Sequence, residues 1–418
     1  MIRLKISGFL VAAVFGALGS SFISSCSPPP LEGVTSYEGA RLIVGDGSPP
    51  IENGIIIVDN TEIIAVGVSD NIDVPLGAKR VNLSGKTIMP TIVDTHVHVR
   101  QTPDELEQDL KRRAYFGVSA AMSLGLDSPE IVALRERSIT DAARLFSAGL
   151  GITAPERRSF APYLTPYQIT TEDEGRKSVQ EQAAMDVDII KIWVDDRGGK
   201  YAKLTPNLYT SIIDEANIHG IRVTAHIFTL EDAKGLIKSG VSSFAHSIRD
   251  MDVDDEVMDL LSKKPDFVLV PNLGSRGIVK DLAWLRGIVT EAELANLEEN
   301  NTDRPEVEEA FGIQARNLSK INDAGVIIGF GTDGNRPWGP HDEMEDMVFA
   351  GMTPMEVITS ATGNSAAFLN MENSGTLNTG KIANFIVLDS DPLDDITNTR
   401  AIASVYLNGK EVDRTVYP

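Results

Sequence analysis

The chain has 418 residues, of which 42% are hydrophobic and 23% charged, as is usual for a folded protein. Its formal net charge of −22 argues against a nucleic-acid partner, because phosphate recognition needs clustered lysine and arginine. The same charge argues against an anionic membrane surface as the main docking partner. The length fits either two structural units or one large α/β barrel.

The N-terminal residues predict an export signal. Arg3 and Lys5 precede an apolar run over 9–18, and small residues follow as far as Cys26, which is the only cysteine. The segment 23–26, with the sequence ISSC, resembles a bacterial lipobox, in which the cysteine receives a lipid and becomes the first mature residue. An uncleaved anchor helix with an idle thiol is the alternative interpretation.

These features lead to a prediction of location. We expect residues 1–25 to be a lipoprotein signal peptide and 26–36 to be a Pro-rich tether. The mature protein would then be exported and anchored to a bacterial membrane through a lipid on Cys26. It would face the periplasm or the cell exterior.

β structure is predicted at both ends of the remaining chain. The predicted strands are apolar, β-branched runs at 54–60, 62–67, 383–388 and 402–407. The first two are separated by hairpin spacing. We expect the two ends, 37–89 and 374–418, to join into one small β-sandwich, with 90–373 inserted between them.

The inserted middle alternates short apolar strands with helical segments, which is the pattern of βα units around a parallel sheet. Helices are predicted, for example, over 208–219 and 230–238. Eight strands are predicted, over 91–98, 118–124, 143–148, 187–194, 222–226, 242–246, 267–271 and 326–332. Eight such units favour a (β/α)8 TIM barrel over an open sheet. A dinucleotide-binding fold is disfavoured, because no G-x-G-x-x-G follows the first strand.

Histidines and one aspartate mark the ends of these strands. His96 and His98 end the first strand, and alternate residues of a strand point to the same face, so both imidazoles can reach one point. Such a pair suits Zn²⁺ or a similar metal. His226 and His246 end the fifth and sixth strands, and Asp333 follows the eighth. In a barrel these positions emerge at the carboxyl-terminal mouth, where active sites lie.

Each position also has a plainer interpretation. The H-x-H pair can be two hydrogen-bonded histidines without a metal, a strand-end histidine often only packs, and Asp333 can cap the next helix. The joint occurrence of all of them at strand ends favours a metal site.

The chain resembles the amidohydrolase superfamily, in particular its imidazolonepropionase-like and prolidase-like members. The resemblance covers nearly everything after the signal segment. It is carried by the motif DTHVH at 94–98, DIIKI at 188–192, His226, His246, Asp333 and the tail segment GTLNTGK at 375–381.

The resemblance implies a binuclear metal centre with Zn²⁺, or alternatively Mn²⁺, Co²⁺ or Fe²⁺. The implied ligands are His96, His98 and Asp333 for the more buried ion, His226 and His246 for the more exposed ion, and a CO2-derived carbamate on Lys191 that bridges both. From spacing alone, Lys191 could equally cap the barrel mouth or pair with Asp195 or Asp196.

The implied activity is that of a metal-dependent hydrolase. A hydroxide that bridges the metals would attack the carbonyl of a C–N amide bond, and Asp333 would pass the proton to the leaving amine. The expected substrate is a small peptide-like molecule or an N-acyl amino acid. The alternatives are a mononuclear deaminase, a lactone or ester hydrolase of the same superfamily, and a non-catalytic surface binding lipoprotein.

Substrate choice is expected to depend on loop residues. The candidates for substrate binding are Arg249, His341, Trp193 and Tyr201. Arg249 could clamp a carboxylate with its planar fork, but it could also pair with Asp250 or Asp252. Asp195 and Asp196, which follow the fourth predicted strand, are not typical of a dipeptidase. The sequence leaves open whether the chain forms a homo-oligomer.

Overall fold

The computed structural model describes residues 31–99, 102–155 and 164–418. The predicted signal peptide and Cys26 lie outside the described residues and stay predictions. Within these ranges no helix combines the length and the apolar composition that crossing a membrane would require.

The described elements are strands, α-helices and short helical turns. The strands are β1 (Val34–Leu42), β2 (Ile51–Asp59), β3 (Glu62–Val68), β4 (Lys79–Asn82), β5 (Thr87–Pro90), β6 (Ile92–Val97), β7 (Val118–Ser123), β8 (Arg144–Ser147), β9 (Ile152–Thr153), β10 (Tyr167–Gln168), β11 (Ile190–Val194), β12 (Val223–Ile227), β13 (Ser243–Ala245), β14 (Val268–Val270), β15 (Ile327–Ile328), β16 (Phe385–Leu388), β17 (Ile402–Leu407) and β18 (Lys410–Glu411). The α-helices are α1 (Pro103–Tyr115), α2 (Pro129–Ala133), α3 (Glu172–Ala184), α4 (Pro206–Ile218), α5 (Leu230–Lys238), α6 (Asp255–Ser262), α7 (Glu291–Glu299), α8 (Glu308–Asp323), α9 (Gly339–Phe349), α10 (Pro354–Thr359) and α11 (Ser365–Phe368).

Strands from both ends of the chain meet in one eight-stranded sheet. β16 pairs antiparallel with β5, with Phe385 opposite Pro90 and Leu388 opposite Thr87. The predicted hairpin is β2–β3, which are antiparallel. β1 begins at Val34, inside the segment predicted as a tether. The two ends of the chain therefore come together as expected, whereas a two-layered sandwich stays a prediction.

The middle of the chain contains parallel strands. Each of the eight predicted strands overlaps an observed one, namely β6, β7, β8, β11, β12, β13, β14 and β15. One sheet has the order β6-β7-β8, and the other has the order β10-β9-β11-β12-β13-β14-β15. Gly149, which has a φ of +57°, directly follows the third predicted strand and lies between β8 and β9. As a result β8 pairs with β7, while β9 pairs with β11.

Backbone hydrogen bonds join these two sheets at both edges. On one side, Asp188 N donates to Ser147 O at 3.0 Å. On the other, Thr95 N donates to Phe330 O at 2.9 Å, and Thr332 N donates to His96 O at 3.2 Å. The second edge therefore places the end of β6 directly beside the loop that follows β15.

The helices begin at the signals that the sequence provides and turn their apolar faces to the strands. In α5, the Thr229 hydroxyl accepts from Asp232 N as an N-cap, and Leu230, Ala233 and Leu236 are buried. The strand side chains that face these helices are also apolar. This packing leaves the carboxyl ends of the parallel strands as the place where polar side chains meet.

Candidate metal centre

The carboxyl ends of the parallel strands bring the four predicted histidines into one cluster. The ring centroids of His96 and His98 lie 5.5 Å apart, and those of His96 and His246 lie 5.1 Å apart. The ring of His226 follows at 4.6 Å from that of His246. One ligand atom from each of His96, His246 and Asp333 lies within 4.8 Å of the others. This is the spacing at which side chains can share one ion.

Asp333 lies at the centre of this cluster. Its Oδ1 is 3.1 Å from His96 Nε2 and 3.0 Å from His98 Nε2, and its Oδ2 is 3.5 Å from His246 Nε2. The Asp333 side chain is 37% exposed, whereas that of His96 is 1% exposed. The carboxylate therefore faces both the buried imidazoles and the solvent at the mouth.

The charge states of the cluster follow from burial and proximity. Burial lowers the pKa of His96 to about 4; the charge of Asp333 opposes this shift, and the charge of Lys191 adds to it. Burial, with the charge of Arg249, lowers the pKa of His246 well below its ordinary value. Burial raises the pKa of Asp333, but the charges of His96 and His246 outweigh it and hold this pKa well below its ordinary value. Near neutral pH the imidazoles of His96 and His246 are therefore neutral, and the Asp333 carboxylate is ionised.

The hydrogen bonds of His96 fix its tautomer. Its Nδ1 lies 2.9 Å from Asn272 Oδ1, so Nδ1–H donates to the amide oxygen and Nε2 carries the lone pair. That lone pair faces the Asp333 carboxylate at 3.1 Å. Two electron-pair donors at this distance repel each other unless a cation lies between them. The donor set therefore fits a metal ion, and Asn272 supplies the outer hydrogen bond that ligating histidines usually make.

Lys191 lies on β11 and is completely buried. Its Nζ lies 5.8 Å from the centroid of the Trp193 ring, on the same side of the strand. Two glycines on neighbouring segments make room for these side chains. A Cβ on Gly125 would lie 2.9 Å from Lys191 Cγ, and one on Gly151 would lie 2.2 Å from Trp193 Cζ3. The structure thus brings Lys191 and Trp193 to the cluster.

Asp94 is a site residue to which the sequence interpretation gave no role. Its carboxylate is buried and accepts from Thr332 Oγ1 at 2.8 Å, from Thr332 N at 3.1 Å and from His96 N at 3.2 Å. The nearest guanidinium nitrogen, of Arg113, lies 3.7 Å away. Asp94 therefore ties β6 to the loop that carries Asp333. Its place inside the DTHVH motif was the available signal.

Backbone strain is a second signal that points to the site. His246, Asn272 and Asp333 have φ values of 104°, 45° and 50°. The left-handed region is costly for residues other than glycine and tends to persist where function requires it. All three residues follow a parallel strand; two are candidate ligands, and Asn272 is the hydrogen-bond partner of a third candidate, His96.

Asp195 also lies at the cluster. Its Oδ2 is 3.1 Å from His226 Nε2 and 2.9 Å from Arg197 Nε, and its Oδ1 accepts from Arg197 N at 2.8 Å. Asp195 lies four residues after Lys191, on the side of the chain that faces the histidines. It therefore links a predicted ligand to a surface arginine.

The predicted substrate-binding residues divide into two groups. Trp193 and Arg249 lie at the cluster, and the charge of Arg249 acts on His246. Tyr201 is partly buried in the loop after β11, with Lys200 Nζ 5.4 Å from its ring centroid. The structure places His341 elsewhere.

His341 lies in α9 and is completely buried. Its Nδ1 is 3.1 Å from Thr399 Oγ1, and its Nε2 is 3.1 Å from Phe116 O. Both ring nitrogens are thus engaged inside the protein, and the side chain is not part of the histidine cluster.

Several solved structures share this fold. A candidate prolidase from Bifidobacterium longum superposes with a TM-score of 0.76 at 24% identity, covering 93% of this chain and 96% of that one. A Xaa-Pro dipeptidase with bound methionine in its active site superposes with a TM-score of 0.71 at 22% identity, covering 90% and 99%. At these identities the likeness concerns the fold.

The curated relatives are distant. The chain is 28% identical over 183 residues to an uncharacterised protein of Mycobacterium tuberculosis, and it spans about half of that relative, with 48% covered. It is 23% identical to the 5-methylthioadenosine/S-adenosylhomocysteine deaminase of Bacillus cereus over 90% of this chain and 93% of the deaminase. It is 26% identical to the ochratoxinase of Aspergillus niger over 57% of this chain and 49% of that protein.

A profile of the amidohydrolase family matches residues 87–412, which includes every residue of the cluster described above. The chain therefore belongs to the amidohydrolase family, whose members that it resembles include a deaminase and a dipeptidase that act on carbon–nitrogen bonds.

Proposed function

We propose that the chain is a metal-dependent hydrolase that cleaves the C–N bond of an amide in a peptide-like molecule or an N-acyl amino acid. The observation that carries this proposal is the convergence of His96, His246 and Asp333, whose ligand atoms lie within 4.8 Å of one another. Because these residues come from three different strand ends, their meeting is a property of the fold. The likeness to a Xaa-Pro dipeptidase favours an amide as substrate.

The two parallel sheets would form one closed (β/α)8 barrel around this site. The backbone hydrogen bonds at both sheet edges, from Asp188 to Ser147 and from Thr95 to Phe330, support this arrangement. In such barrels the active site lies at the carboxyl ends of the strands. The cluster lies at those ends.

The residues present fit a binuclear centre. The proposed ligands are His96, His98 and Asp333 for one ion, His226 and His246 for the other, and a carbamate on Lys191 for both. A carbamate would turn the buried lysine into a carboxylate-like ligand, which suits divalent Zn²⁺, Mn²⁺, Co²⁺ or Fe²⁺. Such ions, when bound, lower the pKa of water and polarise a carbonyl oxygen.

The chain's own residues would handle the proton. The Asp333 carboxylate is ionised and partly exposed at the mouth, so it can accept the proton of the attacking water. It would then donate this proton to the nitrogen of the leaving amine as the C–N bond breaks. Asp94 holds the backbone of Thr332, next to Asp333, and thereby orients the carboxylate.

Hydrolytic deamination is the second candidate. The Bacillus cereus deaminase aligns over 90% of this chain, more than any other curated relative named above. A deaminase would release ammonia from an aminated ring, whereas an amide hydrolase would release a carboxylic acid and an amine. Measuring ammonia with adenosine derivatives as substrates separates the two candidates.

The proposed function is tested by assaying N-acyl amino acids and dipeptides with the wild type and the variant Asp333→Asn. We expect Asp333→Asn to lower kcat by at least about 100-fold, because the proton acceptor is lost. Asp389→Asn is a matched control. That carboxylate pairs with Lys86 beside the paired strands β5 and β16 of the eight-stranded sheet. Full activity in Asp333→Asn would contradict the proposal.

We also propose export and lipid anchoring through Cys26. The support is the basic, apolar and small-residue order of the N-terminal sequence. Metabolic labelling with a fatty acid should mark the wild type and leave Cys26→Ser unlabelled. Equal labelling of both proteins would contradict the lipid site.

A further inference from the structure

A guanidinium beside the histidine cluster has two buried nitrogens without a hydrogen-bond partner among the residues that the structure describes. Arg249 follows His246 by three residues, and its guanidinium carbon lies 6.0 Å from the centroid of the Phe228 ring. Its backbone N donates to Phe228 O at 2.9 Å, which fixes the loop. Among the described residues, neither Nε nor Nη2 of Arg249 has a hydrogen-bond partner, although both atoms are buried.

The acidic residues that could pair with Arg249 are engaged elsewhere. Asp250 Oδ1 accepts from Leu230 N at 2.9 Å. Asp252 pairs with Arg316 Nη2 at 2.9 Å. The alternative that the sequence left open, a local pair between Arg249 and either aspartate, is therefore not what the structure contains.

Burying these two nitrogens without an acceptor from the described part of the chain is costly. Buried donors without acceptors lose their hydration and gain nothing in return, so such groups are rare and usually have a function. The cation also lies within electrostatic reach of the cluster. Its charge lowers the pKa of His246, and the charge of Asp333 opposes the effect of burial on the pKa of Arg249 itself. The donors of Arg249 are therefore available next to the proposed reaction centre.

We propose that Arg249 is the specificity-determining residue of this site and binds the carboxylate of the substrate. This inference rests on the proposed hydrolase function. A guanidinium offers two parallel N–H donors that match the two oxygens of a carboxylate. Arg197, held by Asp195 at 2.9 Å, adds a second positive charge on the same side. The substrate class is thus an amide with a carboxylate near the scissile bond, such as an N-acyl amino acid or a dipeptide, in preference to a neutral amide.

Matched substrates test the inference on the wild type. Each N-acetyl-L-amino acid of a panel is compared with its C-terminal primary amide, which differs only in the charge of that group. We expect kcat/KM for cleavage of the acetyl–nitrogen bond to be at least about tenfold higher for the acids, because a hydrogen bond to a charged group is among the stronger ones. Equal values would overturn the carboxylate subsite and leave the hydrolase function intact. Failure to cleave any member would overturn the hydrolase function and this inference with it.

Variants of Arg249 test the role of the residue. Arg249→Met keeps the length and removes the charge, while Arg249→Lys keeps the charge and removes the fork. We expect Arg249→Met to raise KM for the acids at least about tenfold more than KM for the amides, and thereby to abolish the preference for acids. The KM of Arg249→Lys for the acids should lie between those of the wild type and Arg249→Met. Arg316→Met is the control, because that side chain is exposed and pairs only with Asp252 among the described residues.

A binding measurement separates recognition from turnover. Calorimetric titration of the purified full chain with free L-amino acids, the expected products, should give weaker binding in Arg249→Met than in the wild type or Arg316→Met. Thermal unfolding of each variant reports folding. If Arg249→Met impairs acids and amides equally, or if product binding is unchanged, Arg249 has a packing role and the inference is wrong.

Discussion

At the scale of single residues, the chemistry of the site depends on which nitrogen of His96 carries its proton. Asn272 accepts from Nδ1 at 2.9 Å, and the lone pair of Nε2 consequently faces Asp333. The neutral state of His96 is favoured by its burial, which lowers its pKa to about 4. One amide side chain thereby leaves Nε2 of the imidazole free to bind the proposed metal ion.

Replacing this amide should weaken the metal site. In Asn272→Ala the imidazole can rotate or change tautomer, so we expect metal affinity to fall about 10- to 100-fold. The free energy of unfolding should fall by about 1 kcal/mol for the lost hydrogen bond. Competition with a chromophoric chelator measures the affinity. Asn300→Ala on the surface is the control, and an unchanged affinity in Asn272→Ala would argue against this role.

In the proposed centre, the number of bound ions depends on Lys191. If it bridges two ions as a carbamate, Lys191→Ala should bind less metal and lose most of its activity. Lys177→Ala is a suitable control, because that side chain is 76% exposed on α3. Metal content by elemental analysis and kcat should both be recorded. Full metal content and full rate in Lys191→Ala would make the two-metal interpretation wrong.

At the scale of elements, neighbouring strands are shaped around the side chains of β11. Gly151 lies beside Trp193 so closely that a Cβ would come within 2.2 Å of the indole. Because the indole and Lys191 share one face of the strand, a displaced ring disturbs the lysine as well. Glycine at position 151 therefore leaves the space that Trp193 and Lys191 occupy.

Gly151→Ala should be destabilising. We expect the free energy of unfolding to fall by about 1–3 kcal/mol, as for other overpacked interiors, and activity to fall with it. Gly312→Ala in α8 is a matched control that should be neutral or stabilising, because alanine favours helix. Chemical denaturation compares the two variants. Equal stability of Gly151→Ala and wild type would show that the ring can move without cost.

The sequence predicted the long elements well and the short or interrupted ones poorly. The predicted strand at 402–407 and the predicted helix at 230–238 agree with β17 and α5. The two-residue strand β9 was not predicted, because two apolar residues carry no periodicity. The break at Gly149 between β8 and β9 depends on how the chain changes its pairing partner, which a local pattern does not encode.

The sequence likewise indicated some residues of the candidate site and missed others. The proximity of the four histidines could be predicted because strand ends converge in a parallel fold, whichever loops follow them. Asn272 was missed because an asparagine after a strand is a common turn residue. The partner of Arg249 could not be chosen from sequence, since Asp252 is taken by Arg316 from a helix more than sixty residues away.

At the scale of the whole molecule, His341 connects three distant parts of the chain. It lies in α9, and its ring bonds to Thr399 near the C-terminal strands and to Phe116 after α1. Burial lowers its pKa to about 3, with smaller contributions from the Phe116 carbonyl, which opposes the shift, and from Arg400 and Arg414. The protein is therefore held together here by a neutral imidazole.

This histidine should make stability depend on pH. Its folded pKa of about 3 lies below the ordinary value of 6.5, so the unfolded chain takes up the proton first as pH falls. The stability is fully present above about pH 6.5 and is lost progressively towards pH 3, at about 1.4 kcal/mol per pH unit for this group. The slope of unfolding free energy against pH in this window should be smaller in His341→Gln. An equal slope in both proteins would contradict a neutral buried imidazole.

The central claim is that the strand-end cluster is a metal centre of a hydrolase. The most direct measurement is the metal content of the full chain, purified without chelators and with bicarbonate, alongside its amide hydrolase activity. We expect about two divalent ions per chain, loss of activity on chelation, and recovery when metal is returned. About one ion would contradict a bridging Lys191, and no ion after reconstitution with Zn²⁺ would contradict the claim itself.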